Sequence, residues 1–72
     1  MPYFNMYKDK AGEWRWTFKG DNNEPVADSA EGYTTRQKCL HGIRVVKNGA
    51  AAAPVTDITT SPPTKIPDSD IK

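Results

Sequence analysis

One cysteine and one histidine in 72 residues remove most of the ways a small chain can be stapled together. Cys39 alone can form no internal disulfide. A structural zinc site takes about four Cys or His ligands, and the chain offers only Cys39 and His41. No metal or cofactor is therefore expected. Charge of one sign is also lacking: ten Lys and Arg against nine Asp and Glu leave a net charge of +1, which gives no electrostatic case for a polyanionic partner and disfavours nucleic acid. No apolar run approaches the roughly 20 residues of a membrane span. The start, Met1-Pro2-Tyr3-Phe4, has neither the basic residues nor the apolar stretch of a signal peptide, so a cytoplasmic protein is expected. Apolar residues themselves are scarce, at 36% with a mean hydropathy of -0.76. A domain this small buries only about 60% of the surface its unfolded chain exposes. With disulfides and metals excluded, oligomerisation is the remaining way to thicken its core.

Against these absences stands an aromatic N-terminal half. Tyr3 to Lys8 forms a first strand and Glu13 to Lys19 a second, in which Trp14, Trp16 and Phe18 alternate strictly with Arg15, Thr17 and Lys19. Register follows from this pattern, because a slip of one residue moves every side chain to the opposite face. A three-residue loop, Lys10-Ala11-Gly12, with Gly12 in the left-handed conformation puts Met6 opposite Trp16 and Phe4 opposite Phe18. All the large apolar groups then share a face. Asn22-Asn23 is expected to take the two positive φ values of a type I′ turn, leading into a third strand, Glu24 to Ser29. That register sets Ala27 and Ser29 opposite Phe18 and Trp16, with Val26 and Asp28 outward. Pro25, lacking an N–H, suits an edge strand.

Thr34-Thr35-Arg36-Gln37 has the spacing of a capping box, with Thr34 as N-cap and Gln37 reaching back. Glu31, just before it, is a second candidate to cap the helix start. The helix is expected to run to about Lys47 and stop before Asn48-Gly49, burying the stripe Cys39, Leu40, Ile43 and Val46. Gly42 adjoins the stripe and allows close approach to the sheet. A last strand is expected near Pro54 to Asp57. The composition from Thr59 to Lys72 predicts a disordered polar tail, so the domain is drawn at residues 1–58 and the tail at 59–72. The expected core is Phe4, Met6, Trp14, Trp16, Phe18, Ala27, Cys39, Leu40, Ile43, Val46 and Val55. So thin a core is marginal against the ordering cost of about 1.5 kcal/mol per residue, which predicts a homodimer.

Several of these residues together resemble a known family. Phe4, Tyr7-Lys8-Asp9, Gly12, Trp14-Arg15-Trp16, Ala27, Glu31-Gly32-Tyr33, Cys39, Gly42-Ile43 and Ala53-Pro54-Val55 look like the YegP-like family, small and mostly bacterial proteins that share a domain of unknown function. The resemblance spans about residues 3–57. Asn22-Asn23 stands where the family usually has Asn-Gly, and Thr17 where it often has Arg. The resemblance implies an α+β, two-layer fold: a β-β-β-α-β unit with an antiparallel sheet and a helix on one face, occurring either twice in one chain or once in a homodimer, with C-terminal strands exchanged to make one continuous sheet. It implies no activity, cofactor or catalytic residue.

The candidate sites are few. Cys39 and His41 lie two apart on a helix, point to nearly opposite faces and cannot act as nucleophile and base together. Glu13, Glu24, Glu31 and Asp28 have no spacing that predicts an acid and base pair. No enzyme is expected. Tyr3, Tyr7, Arg15 and Lys19 share the outer sheet face and mix aromatic with basic groups as single-strand nucleic-acid platforms do. Near-zero net charge and Asp28 within that surface weigh against this use. The expected function is a non-enzymatic binding or interaction module, with weak single-strand nucleic-acid binding through the outer face as the alternative.

Overall fold

The computed structural model describes residues 1–71; Lys72, the last residue of the expected tail, lies outside them. Strands β1 (Tyr3–Lys8), β2 (Trp14–Lys19) and β3 (Pro25–Asp28) form an antiparallel sheet in the order β1-β2-β3, and helix α1 (Arg36–Gly49) packs on β2. Strands β4 (Val55–Asp57) and β5 (Thr64–Ile66) form a separate antiparallel hairpin, followed by a 3-10 turn at Asp68–Asp70. The class is α+β, as expected.

The first hairpin has the anticipated register, with Phe4 opposite Phe18 and Met6 opposite Trp16. Gly12 adopts φ 82°, and the Asp9 and Glu13 backbones close a loop of Lys10, Ala11 and Gly12. The carboxylate of Asp9 fixes this turn: Oδ1 accepts from the Ala11 and Glu13 N–H groups at 2.9 Å, and Oδ2 accepts from Arg15 Nε at 2.6 Å.

The second turn arrives at the expected register by another route. Only Asn23 has a positive φ, 65°. The Gly20 N–H donates to the Glu24 carbonyl at 2.9 Å and the Asn23 N–H to the Gly20 carbonyl at 3.1 Å, the same bonding as in the first turn with Asn23 in place of Gly12. A three-residue loop needs one left-handed residue where a type I′ turn needs two, and neither asparagine is a glycine. The register then shifts between Phe18 and Lys19, so that Phe18 still faces Ala27. Ser29 lies beyond β3, but its N–H donates to the Trp16 carbonyl at 3.0 Å. Ala30 then takes φ 62°, a conformation unfavourable for a residue with a Cβ.

The chain rejoins the sheet at Tyr33, whose backbone N–H and carbonyl both bond Trp14 at 2.8 Å. Because this bridge holds Tyr33 extended, the helix begins one residue later than expected: Thr35, not Thr34, is the N-cap, accepting from the Lys38 N–H at 3.1 Å. Gln37 then falls short of the box position. The helix also ends later. It runs through Asn48 and Gly49 to Ala50, whose αR backbone donates to the Val46 carbonyl at 2.9 Å. Beyond this cap Ala51 to Ala53 leave the helix and connect to Pro54, which disfavours helix just before itself.

Trp16 and Cys39 are the buried hydrophobic residues, at 6% and 0% exposure. Phe4 meets Trp16 edge-on at 5.5 Å between ring centroids and lies 4.7 Å from Phe18. Met6, Trp14, Phe18, Leu40, Ile43 and Val46 are half-buried. Val55, expected in this core, is exposed and pairs with Ile66 in its own hairpin, and Ala27 is exposed beside the helix end. The segment expected as a disordered tail from Thr59 carries β5 and the 3-10 turn, because Val55 and Ile66 give the last strand a partner close in sequence. The domain boundary drawn after residue 58 falls inside this hairpin. A radius of gyration of 14.9 Å exceeds the roughly 11 Å of a compact chain this long.

Candidate functional site

The outer face of the sheet is assembled by the register. Tyr3 lies opposite Lys19 and Tyr7 opposite Arg15, with Asn5, Thr17 and Asp28 forming the row between them. The four candidates therefore share a face but stand in two pairs, separated by about 13 Å of strand. The polar groups of two of them, Arg15 and Tyr3, are already engaged. Arg15 Nε holds Asp9, and its Nη1 reaches the Ala30 carbonyl at 3.5 Å. Tyr3 Oη donates to Asn23 Oδ1 at 2.7 Å. The Arg15 hydrogen bond, then the Glu13 N–H, hold the Asp9 carboxyl below the ordinary aspartate value. The same bond raises the Arg15 guanidinium. Arg15 is a clamp across the first turn, and Tyr3 ties the sheet to the second. Lys8 lies on the other face, its Nζ 5.0 Å from the centre of the Trp14 ring.

The structure separates Cys39 and His41 as their spacing requires: Cys39 is buried and His41 exposed. Burial pushes the Cys39 thiol up, away from thiolate character. Among the described residues no cluster of three or more His, Cys, Asp or Glu is arranged to hold a metal ion. The Glu31 carboxylate makes no hydrogen bond to the helix start among the described residues; the Thr35 hydroxyl has that role.

Two concavities on the helix side were not anticipated. One, of about 360 Å³, lies between the end of α1 and the sheet and is lined by Phe4, Phe18, Ala27, Val46, Lys47, Ala50 and Ala51. It forms where the helix end, with its cap Ala50 and the following Ala51, stands over Phe4, Phe18 and Ala27 of the sheet. The other, of about 570 Å³, runs along one flank of α1 over Leu40 and Ile43, with Gln37, His41, Arg44 and Lys47 at its rim. Its signal was present in the sequence: α1 carries Arg36, Lys38, Arg44 and Lys47 with no Asp or Glu. The net charge of +1 conceals that segregation.

Gly42 and Tyr33 join helix to sheet. A Cβ on Gly42 would stand 2.5 Å from Tyr33 Oη and 3.5 Å from Trp16 Nε1. The close approach inferred for Gly42 is thus real, and the group it admits is the Tyr33 phenol. Trp16 Nε1 is buried and has no hydrogen-bond partner among the described residues.

Comparison with known proteins covers this same body. The family described as "Domain of unknown function (DUF1508)" matches residues 9–57. A UPF0339 protein of Neisseria meningitidis serogroup B is 45% identical over 56 residues, 78% of this chain and 98% of that protein. A UPF0339 protein of Agrobacterium fabrum is 42% identical over 60 residues, 83% of this chain and 95% of its own length. The solution structure of a protein from Haloferax volcanii superposes with a TM-score of 0.69 at 41% identity, covering 75% of this chain and 90% of that one. The chain therefore belongs to the DUF1508 family, whose relatives are called UPF0339 proteins, in keeping with the YegP-like resemblance of its motifs.

Proposed function

We propose that the protein is a non-enzymatic homodimeric binding module in which β4 of each chain adds to the sheet of its partner. The observation that carries this reading is the open inner face: Phe4, Phe18 and Val46 line a groove that none of the described residues fills. Such a groove, with Lys47 as its one charged lining residue, offers cover for the apolar side chains of an added strand. The two sheet edges differ in a way that selects the receiving strand. On β3, Pro25 and the irregularity opposite Phe18 and Lys19 blunt the edge. β1 has six residues, no proline and regular pairing, so it is the receptive edge.

Bond alternation identifies the groups that would receive a strand. Asp9 and Glu13 form a hydrogen-bonded pair, and Trp14 turns its N–H and carbonyl toward Tyr33. By alternation, Phe4, Met6 and Lys8 turn theirs away from β2, toward the open edge. Amide hydrogen exchange at these three positions tests the reading. In the dimer they are protected far beyond the neighbouring loop amides; free exchange, or a folded monomer in sedimentation equilibrium at micromolar concentration, sinks it. Nothing in the geometry favours the outer face as a nucleic-acid platform, since Arg15 and Tyr3 are occupied within the chain.

A further inference from the structure

We propose that the acidic end of the chain, Asp68 to Ile71, docks on the basic flank of α1 in a second copy. This rests on the dimer reading above and adds to it an occupant for a surface that reading leaves bare.

The flank has an apolar floor, Leu40 and Ile43, and a rim that includes Arg44 and Lys47. Residues three and four apart are neighbours on a helix surface, so Leu40, Arg44 and Lys47 form one continuous ridge. Neither Arg44 nor Lys47 is in an ion pair among the described residues, and neither are Asp68 and Asp70. Another copy of α1 is a poor occupant, because each helix carries four Lys and Arg and no acid, and like charges would face one another. What fits is a short segment with carboxylates for the rim and an aliphatic side chain for the floor.

Asp68-Ser69-Asp70-Ile71 is such a segment. Ile71 is 50% exposed, and Asp68 and Asp70 project from a single 3-10 turn. Opened from that turn to an extended strand on docking, the four residues span about 13 Å, against about 10 Å of helix from Leu40 to Lys47. The hairpin also delivers the segment to the right place. Val55 lies opposite Ile66, so the chain after β5 returns to the level where β4 begins. If β4 lies on the partner's β1 edge, Asp68 to Ile71 are carried onto the partner, whose helix packs on the adjacent strand β2. The family match ends at residue 57, so the acidic segment is an addition to the shared domain. Each single contact is weak, but a segment tethered within a dimer meets its site at an effective concentration of about millimolar, which populates a weak contact.

The test uses the full chain. Ser69→Cys is labelled with a nitroxide, which the buried thiol of Cys39 escapes, and this chain is unfolded and refolded together with ¹⁵N-labelled wild type. Broadening of the wild-type amides from Leu40 to Lys47 is the expected result. Arg44→Glu with Lys47→Glu in the ¹⁵N chain should abolish it, and adding Asp68→Lys with Asp70→Lys to the spin-labelled chain should restore it. A dimer in sedimentation with no broadening overturns the docking and leaves the dimer standing. A monomer overturns both. If these amides respond to a mixed-sequence DNA duplex and not to the partner's tail, the flank serves a polyanion and the proposal fails.

Discussion

Residues 3–49 and residues 55–70 both contain short antiparallel strands, yet they are held by different forces. In the body, six-residue strands place Phe4, Met6, Trp14, Trp16 and Phe18 on one face, and a helix covers part of it. In the arm, β4 and β5 have three residues each, the side chains are mostly exposed, and local bonds dominate, such as the Thr59 N–H to Asp57 Oδ1 at 2.9 Å. A two-stranded hairpin alone is at best marginally stable in water. The body has a core that organises its turns; the arm has turns without a core. An element of that kind gains from a surface it can join, which is the role the proposed dimer gives to the β1 edge of a second copy.

The comparison is broken most directly at Trp16. Trp16→Ala is expected to cost about 3 to 5 kcal/mol and to unfold the chain, whereas Ile58→Ala in the arm, where the side chain is 80% exposed, should stay within about 0.5 kcal/mol. Urea titration followed by tryptophan fluorescence for Ile58→Ala, and by circular dichroism for Trp16→Ala, measures both. Equal costs would mean that the arm is part of the core.

Gly42→Ala comes next. Intrinsic helix propensity favours the alanine by about 1 kcal/mol, but its Cβ would meet Tyr33 Oη at 2.5 Å. Overpacking should win, with a net loss of about 1 to 3 kcal/mol. The double variant Gly42→Ala with Tyr33→Phe should recover part of that loss in thermal melts. No recovery would remove Tyr33 as the obstacle.

Acid sharpens the contrast. Asp9 in the body and Asp57 in the arm both have carboxyls held below the ordinary value of 3.8, by Arg15 and the Glu13 N–H in one case and by Thr59 in the other. A depressed folded-state value contributes stability above the unfolded value, and that stability is lost as pH falls through the folded one. Melting temperature should therefore fall on acidification below about pH 4. Asp9→Asn should flatten that fall, and Asp57→Asn should flatten it less. The reverse order would show that the arm, not the body, sets acid stability.

The smallest expected effects are gains. Gly49 sits in helical backbone with open space where a Cβ would go, so Gly49→Ala should stabilise by about 0.5 to 1 kcal/mol. Ala30→Gly should gain about 1 kcal/mol by relieving φ 62°. Denaturant midpoints measure both.

What could be read from the sequence follows the same division. The first hairpin was legible because any slip would separate Phe4 and Met6 from the tryptophans. The second turn was legible in outcome but not in route, since a three-residue loop with a register shift gives the same Phe18 to Ala27 pairing as a two-residue loop. Thr34 and Thr35 are equivalent as local capping signals, and the choice between them is made by the backbone bridge from Tyr33 to Trp14, nineteen positions away in sequence. Asn48-Gly49 is a local stop signal that the helix passes by two residues, after which Ala51 to Ala53 form the connector to β4. The arm was missed because composition describes its polar majority and not the pairing of Val55 with Ile66. Of the candidate site, the shared face of Tyr3, Tyr7, Arg15 and Lys19 was legible, while the engagement of Arg15 by Asp9 depends on how the first turn closes.

An edge that receives a strand and a strand with an edge to give, carried on one chain, form a head-to-tail joint. Two copies that serve each other close the joint and finish; copies that each serve the next grow into a filament without end. The segment from Ala51 to Pro54, which links the helix to β4, sets the angle and reach between the two halves of that joint. In the proposed dimer its length is thus a choice between a closed pair and an open run of copies, and shortening it is the change that would favour the second.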